Sequence, residues 1–302
     1  MGGLQKGHFF NLVSVITMAV GPLLSKFGLL EISPAQASVI NTITVIIASY
    51  LLGVIQHRKV NFYVEKEIMM LALFNSIGVI FLFLSTNLLS PVEIGFIGRF
   101  YTVFAVILSV LILKERLSKK EVIFITLAIL GAFLFVNRGG DFDSNILGSL
   151  FAVIYTFFFA LTNIFIKKTM SKERDSNSIL FTNNCITLIF VLLYATITGD
   201  LLNSDYSITG VSFIITSSLL TGFLGTLFLY KALQHLRFSI ANVTRAFSPL
   251  LLATISFPFF PIEITIQNVL GAIVLILSIL LLSLGKTNKD KSIDTYKKAS
   301  NS

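Results

Sequence analysis

Long apolar stretches separated by short polar breaks make up most of this chain. Each stretch runs for about 20 residues, the length that a helix needs to cross a bilayer. The pattern predicts ten membrane-spanning helices, at about 9–30, 34–55, 67–88, 91–113, 120–136, 146–166, 176–198, 210–232, 238–260 and 265–285. Turn-forming residues mark the breaks, as in SPAQ at 33–36 and NRGGDFDSN at 137–145. We therefore expect an all-α integral membrane protein.

Composition supports the membrane interpretation and argues against an enzyme. Charged residues make up 13% of the chain and the mean hydropathy is +0.87, whereas soluble domains carry about 25% charged residues. The sequence has no His/Cys/Asp cluster with metal-binding spacing and no glycine-rich phosphate loop before a helix. We expect no catalytic activity, no metal and no cofactor, and the missing Walker motif argues against ATP-driven pumping.

The positions of the basic residues predict the orientation in the membrane. Of the 23 lysines and arginines, 19 fall in segments on one side, which the positive-inside rule assigns to the cytoplasm. Arg138 alone falls in a loop on the opposite side, and Lys26, Arg99 and Arg245 lie inside spans. This distribution predicts a protein of the plasma (inner) membrane with both termini in the cytoplasm. It also explains the net charge of +8, so no nucleic-acid partner is expected.

Spans 4 and 9 share a pattern that indicates an internal repeat. A shift of 146 positions aligns the central arginines of the two spans and their small or hydroxyl neighbours, pairing Arg99 with Arg245, Gly95 with Ala241 and Thr102 with Ser248. Because each half holds five spans, an odd number, the second half would enter the membrane from the opposite side. We predict two inverted five-helix repeats, at 1–140 and 141–286, followed by a disordered cytoplasmic tail at 287–302.

Several of these motifs resemble the ten-span EamA-type carriers of the drug/metabolite transporter superfamily. The second half carries the clearest likeness, in YKALQHLRFSIANVTRAFSPLLLATISFPFF and IQNVLGAIVLILSI, with the matching residues Tyr230, Ala232, Leu233, Ser239, Ala241, Pro249, Gln267 and Gly271. The first half shows LILKERLSKKE, whose Leu113, Glu115 and Leu117 match the family's Leu-x-Glu-x-Leu motif. The chain departs from the family at Pro261, where Glu is usual, and at the arginine of each half. The resemblance implies a carrier of small solutes.

The two central arginines lack an acidic partner in the membrane. The helical rise places Arg99 and Arg245 within about 4–6 Å of the bilayer midplane, where an arginine costs about 2.5–3.5 kcal/mol on insertion scales. All 15 acidic residues fall in loops, tails or the ends of spans. A bound anion could supply the missing charge, because guanidinium binds carboxylate and phosphate bidentately. The alternative is that backbone carbonyls, hydroxyls and water satisfy both arginines.

The predicted substrate site follows from this argument. It comprises Arg99, Arg245, Thr102, Ser248, Asn242 and Lys26. For Lys26 the alternative is that the side chain reaches the outer membrane surface. The other asparagines inside spans are more typical of hydrogen bonds between helices; they are Asn11, Asn41, Asn75, Asn163, Asn183 and Asn184. Gly21-Pro22, Thr221-Gly222 and Gly225 are candidate bending points.

The sequence thus predicts a secondary transporter that moves a small organic solute by alternating access. The arginines bias the substrate towards an organic anion, such as a carboxylate or a phosphorylated metabolite. Two alternatives stay open, an exporter of neutral amino acids or other zwitterions and a non-transporting membrane scaffold. The expected partners are the substrate and the lipid bilayer. The sequence leaves open the substrate, the direction, the coupling ion and the oligomeric state, for which a homodimer is one option.

Overall fold

A computed structural model describes residues 3–89, 94, 97–98, 100–135, 146–170, 174–201, 206–238, 241, 244, 248–256, 265–267, 269–278 and 281. Every regular element in this part of the chain is a helix, so the all-α fold class is confirmed. The helices are α1 Gly3–Leu29, α2 Pro34–Ile55, α3 Lys66–Leu88, α4 Phe100–Leu111, α5 Lys119–Phe135, α6 Ile146–Met170, α7 Ser176–Ile197, α8 Ile208–His235, α9 Ser248–Ser256 and α10 Val269–Ser278.

Each of the ten predicted spans overlaps one of these helices. Within the described residues, six helices are long and apolar enough to cross a membrane, namely α1, α2, α3, α6, α7 and α8. The other four described helices are shorter, and the total of ten crossings stays a prediction. Large apolar side chains lie exposed on the outer faces of the helices, including Leu51, Ile189 and Leu193. Such faces suit lipid, which the helices of a multi-pass membrane protein contact directly.

Local sequence signals set the ends of the helices. At the start of α2, the Ser33 hydroxyl accepts a bond from the Gln36 backbone while the Gln36 side chain accepts one from the Ser33 N–H, which forms a capping box. Asp175 holds the corresponding N-cap position of α7, where its carboxylate accepts a hydrogen bond from the Ser178 N–H. Beyond the end of α7, Gly199 has a φ of +77°, a conformation that glycine adopts without steric cost.

The helices pack in pairs that relate the two halves of the chain. Helix α1 packs along α8, α3 packs along α6, and α2 packs along α7. In addition, α4 packs on α6, and α9 packs on α1. The same pairs result when α1–α5 are exchanged for α6–α10. This is the packing expected of two five-helix repeats, although the predicted boundary between them, at 140/141, lies outside the described residues, as does the predicted tail.

Two lysines cap helix ends at corresponding places in the two halves. On α1, Lys26 Nζ donates to the carbonyl oxygens of Thr86, Asn87 and Leu89 at the end of α3, over 2.9, 3.1 and 2.8 Å. On α6, Lys167 Nζ donates to the carbonyls of Leu233 and Leu236 at the end of α8, over 2.5 and 2.6 Å. The last carbonyls of a helix have no partner within the helix and carry partial negative charge, so an ammonium group stabilises them.

The two caps repeat one pattern of contacts, with one shift between the lysines and another between the carbonyls. Lys26 and Lys167 are 141 positions apart, and the carbonyls of Thr86 and Leu89 lie 147 positions before those of Leu233 and Leu236. A sequence repeat too weak to show as identity is therefore visible as a repeated pair of contacts.

Helices α5 and α10 meet backbone to backbone. A Cβ atom added at Gly131 would lie 2.7 Å from Leu275 N and 2.9 Å from Gly271 O. No side chain fits in that space, so glycine is required for this close approach.

Candidate functional site

A cavity of about 340 Å³ lies among the helices of both halves. Its wall is built by α1, α2, α3 and α4 from the first half and by α6, α7, α8 and α9 from the second. A solute held there would contact both halves at once, which is the position expected for the substrate of a carrier built from inverted repeats.

The wall combines amides and hydroxyls with aromatic rings. Among the described residues, no charged side chain lines it. Its asparagines are Asn41, Asn75, Asn163, Asn183 and Asn184, and its tyrosines are Tyr101, Tyr155 and Tyr230. Phe83 and Phe159 add apolar surface. This mixture of apolar surface and a few convergent polar groups is typical of small-molecule sites.

The structure brings two of the predicted site residues to this cavity. Thr102 on α4 and Ser248 at the start of α9 both line it, and Thr102 is 5% exposed. These two hydroxyls are the pair that the 146-residue shift aligned. Arg99, Arg245 and Asn242 lie outside the described residues, so their part in the site stays a prediction.

The Lys26 side chain extends from α1 to the last carbonyls of α3. It is not among the residues that line the cavity, and its three bonds to backbone carbonyls account for the positive charge at that depth. A contact between Lys26 and substrate stays a prediction for which the described contacts give no support.

Five asparagines inside spans line the cavity, although the sequence had favoured hydrogen bonds between helices for them. Asn163 Nδ2 donates to the Tyr101 hydroxyl over 2.6 Å, and Asn75 Nδ2 donates to the Thr187 hydroxyl over 3.1 Å. These are bonds between helices, as expected, but both asparagines also face the cavity. Sequence reasoning missed this clustering because a helix position does not reveal which neighbour it faces.

Asn11, by contrast, makes a hydrogen bond between the two halves away from the cavity wall. Its Nδ2 donates to the carbonyl of Ala241 over 3.1 Å, and Asn11 does not line the cavity.

A π-helical segment, Ser218–Gly225, interrupts α8 beside the cavity. Thr221 and Gly222, predicted as bending points, both belong to it and line the cavity. On α1, Gly21 and Pro22 line the same cavity, and a Cβ atom added at Gly21 would lie 2.0 Å from Thr221 Cγ2. Helix α1 therefore lies against the wider turns of α8, a type of distortion found often at functional sites.

Polar contacts tie the Leu-x-Glu-x-Leu loop to the chain that follows α8. Glu115 Oε1 accepts a hydrogen bond from the Phe238 N–H over 2.8 Å. Arg237 forms a salt bridge with Glu121 over 2.6 Å and donates to the Arg116 carbonyl. The motif glutamate thus joins the two halves on the side predicted to be cytoplasmic. Pro261, the departure from the family in the second half, lies outside the described residues.

Comparison with known proteins identifies the relatives of this fold. The profile of the EamA-like transporter family matches residues 5–137 and again residues 146–284. The human nucleotide sugar transporter SLC35D2 is 29% identical over 149 residues, a match that covers 49% of this chain and 44% of that protein. A protein crystal structure superposes with a TM-score of 0.74 over 92% of this chain and 96% of its own, at 11% identity. That superposition bears on the fold alone.

Proposed function

This chain belongs to the EamA-like transporter family, and from that premise we propose that it moves a small organic anion, a carboxylate or a phosphorylated metabolite, by alternating access. The observation that carries the proposal is the cavity of about 340 Å³, whose wall is shared by four helices from each half. Carriers built from inverted repeats bind substrate between the halves, near the bilayer midplane.

The packing of the helices supports alternating access. The packed pairs persist when the halves are exchanged, and we propose that the fold adopts two related arrangements, each the other's counterpart. In one arrangement the first half would take the conformation of the second, and the cavity would open to the opposite side. We propose that the π-helical segment of α8 and the close contact of Gly21 with Thr221 locate one of the bending points.

The bias towards anions rests on the predicted arginines and on the relative. Arg99 and Arg245 precede Thr102 and Ser248 by three positions, and both hydroxyl residues line the cavity. The related human protein is a nucleotide sugar transporter, and nucleotide sugars are phosphorylated metabolites. We propose that Arg99 binds the anion when the site opens to the outside and that Arg245 binds it when the site opens to the cytoplasm.

We further propose that the protein lies in the plasma (inner) membrane with both termini in the cytoplasm, as the 19 basic residues on one side indicate. The polar wall of the cavity supports a transporter rather than a scaffold, since a scaffold would gain nothing from buried amides. An exporter of neutral zwitterions is the second candidate. The observation that favours it is that, among the described residues, no charged side chain lines the wall.

Counterflow of radiolabelled anions in proteoliposomes tests the proposal. The candidate anions are dicarboxylates, phosphorylated sugars and nucleotide sugars, and neutral amino acids are the competing set. Arg99→Gln and Arg245→Gln should each abolish transport of the anion that the wild type carries. Arg58→Gln, a change in the loop between α2 and α3, is the matched control and should leave transport intact. Wild-type transport by both folded membrane variants would refute the role of the arginines, and transport of amino acids alone would favour the zwitterion exporter.

A further inference from the structure

Helices α2 and α7 hold corresponding positions in the two halves, with the same length and the same type of N-cap. Both contain 22 residues. Their N-caps, Ser33 and Asp175, each accept a bond from the backbone N–H three positions on. The two caps are 142 positions apart, and the same shift places Asn41 of α2 on Asn183 of α7. Both asparagines line the central cavity.

Asn183 has an unsatisfied acceptor. The residue is 2% exposed, and its Oδ1 atom is buried with no hydrogen-bond partner among the described residues. Both Asn183 and Tyr230 line the cavity. Because a buried carbonyl without a partner is costly, this acceptor requires a donor, which water or a bound solute in the cavity can supply.

Asn41 lines the cavity with an amide that the protein leaves available. In the described part of the chain its side chain makes no hydrogen bond, and a Cβ atom added at Gly222 would lie 3.3 Å from Asn41 Oδ1. Gly78 and Gly225 are 147 positions apart, and each packs against the first helix of the other half. The same shift pairs Asn75 with Gly222. Where the first half has the Asn75 side chain, the second half has a glycine, whose backbone lies close to Asn41 and Val45.

We propose that Asn41 and Asn183 form an amide pair, one from each half, that binds hydroxyl groups of the transported solute. The inference rests on the proposed function, since it takes this cavity as the transport site. The Oδ1 atoms accept from the hydroxyls of the solute, and the Nδ2 atoms can donate to their oxygens. A hydroxyl suits this place better than an ammonium group, because no carboxylate lines the cavity within the described residues and an unpaired buried cation is unfavourable.

Asn163 and Asn184 differ from this pair. Asn163 donates to Tyr101 and Asn184 donates to the carbonyl of Leu180. These two amides, like that of Asn75, already donate within the protein, whereas Asn183 Oδ1 and the Asn41 side chain make no hydrogen bond among the described residues.

Four probes separate the hydroxyl preference from the charge preference. Glycerol 3-phosphate and n-propyl phosphate share a phosphate group, and only the first carries hydroxyls. L-homoserine and L-2-aminobutyrate share an amino-acid group, and only the first carries a side-chain hydroxyl. Apparent Kd values would be measured on the purified full-length protein from the concentration dependence of its thermal stabilisation. The variants are Asn41→Leu and Asn183→Leu, with Asn87→Leu, at an exposed position on α3, as the control.

The wild type should bind the hydroxylated member of a pair at least about tenfold more tightly than its deoxy analogue, since a site that hydrogen-bonds a hydroxyl rejects the analogue without one. Asn41→Leu and Asn183→Leu should each remove that preference, and Asn87→Leu should retain it. The inference is overturned if the wild type binds both members of a pair equally. It is also overturned if the preference survives in Asn41→Leu or in Asn183→Leu. Binding of the amino acids alone refutes the anion function but still tests the pair, and binding of none of the four refutes both.

Discussion

Replacing Lys26 by methionine should destabilise the protein without changing its substrate affinity. The change keeps the length of the aliphatic chain and removes the ammonium group that donates to three carbonyls at the end of α3. Hydrogen bonds to charged groups contribute about 1.5–3 kcal/mol each. Three at the lower value give about 4.5 kcal/mol, and water can replace about half of that at this partly exposed site, which leaves about 2 kcal/mol.

Such a loss should be visible on heating. For chains of this size a change of 1 kcal/mol shifts the unfolding midpoint by about 2–4 °C, so Lys26→Met should lower it by about 4–8 °C. The chain has no tryptophan, so the fraction that stays monodisperse in detergent would be measured by size-exclusion chromatography after heating. Lys167→Met should lower the midpoint by a similar or slightly smaller amount, because Lys167 donates to two carbonyls.

Matched variants separate the loss of the cap from other effects of the substitution. Lys26→Arg keeps the charge and the donors and should retain most of the stability, whereas Lys59→Met, in an exposed loop position, should change nothing. If Lys26→Met is as stable as Lys59→Met, the cap does not hold the end of α3. If Lys26→Met folds normally but fails to bind a probe that the wild type binds, the lysine belongs to the substrate site and its role is not that of a structural cap.

Three further substitutions test close contacts in the fold. Gly21→Ala should cost about 1–3 kcal/mol by overpacking, because its Cβ atom would overlap Thr221 Cγ2, and a second change, Thr221→Ser, should restore much of the loss by removing that methyl group. Gly131→Leu should cost about 1–3 kcal/mol or more in the same thermal assay, since the backbone of α10 occupies the space. Glu115→Ala should cost about 1–2 kcal/mol, because it leaves the Phe238 N–H without its acceptor.

The changes at Gly131 and Glu115 each have a control nearby. Leu130→Ala removes an exposed side chain next to Gly131, and Arg116→Ala removes an exposed side chain next to Glu115. Both should leave the unfolding midpoint within about 2 °C of the wild type, as is usual for surface substitutions. Losses as large as those of the glycine and glutamate variants would show that the close contacts are not the cause.

The ends of the long helices could be predicted from sequence because physical signals coincide there. For α2 the predicted range 34–55 is the observed one, since the apolar run starts after a capping box and stops at a polar loop. The start of α1 was predicted at residue 9, but the helix begins at Gly3. Polar residues at an amphipathic helix end do not stop the helix, and only the length of the apolar run had set the prediction.

What the sequence could not predict depends on contacts between distant residues. The bonds of Lys26 to the end of α3 join residues about 60 positions apart in the chain, and no local pattern reports them. The π-helical segment of α8 also has no signature beyond its small residues, because its wide turns are stabilised by packing against α1. The prediction that Thr102 and Ser248 share a cavity needed only the repeat, which a shift of the sequence against itself reveals.

The lysine caps have a mechanical consequence for helices α1, α3, α6 and α8. The Lys26 cap joins α1 to α3, packing joins α3 to α6, the Lys167 cap joins α6 to α8, and packing joins α8 back to α1. These four helices therefore form a closed ring in which each helix contacts two of the others. Each cap lies at one end of its helix pair, so we expect the pair to pivot there when the substrate site opens. We also expect the four helices to move together, because tilting one of them would change its contacts with two others.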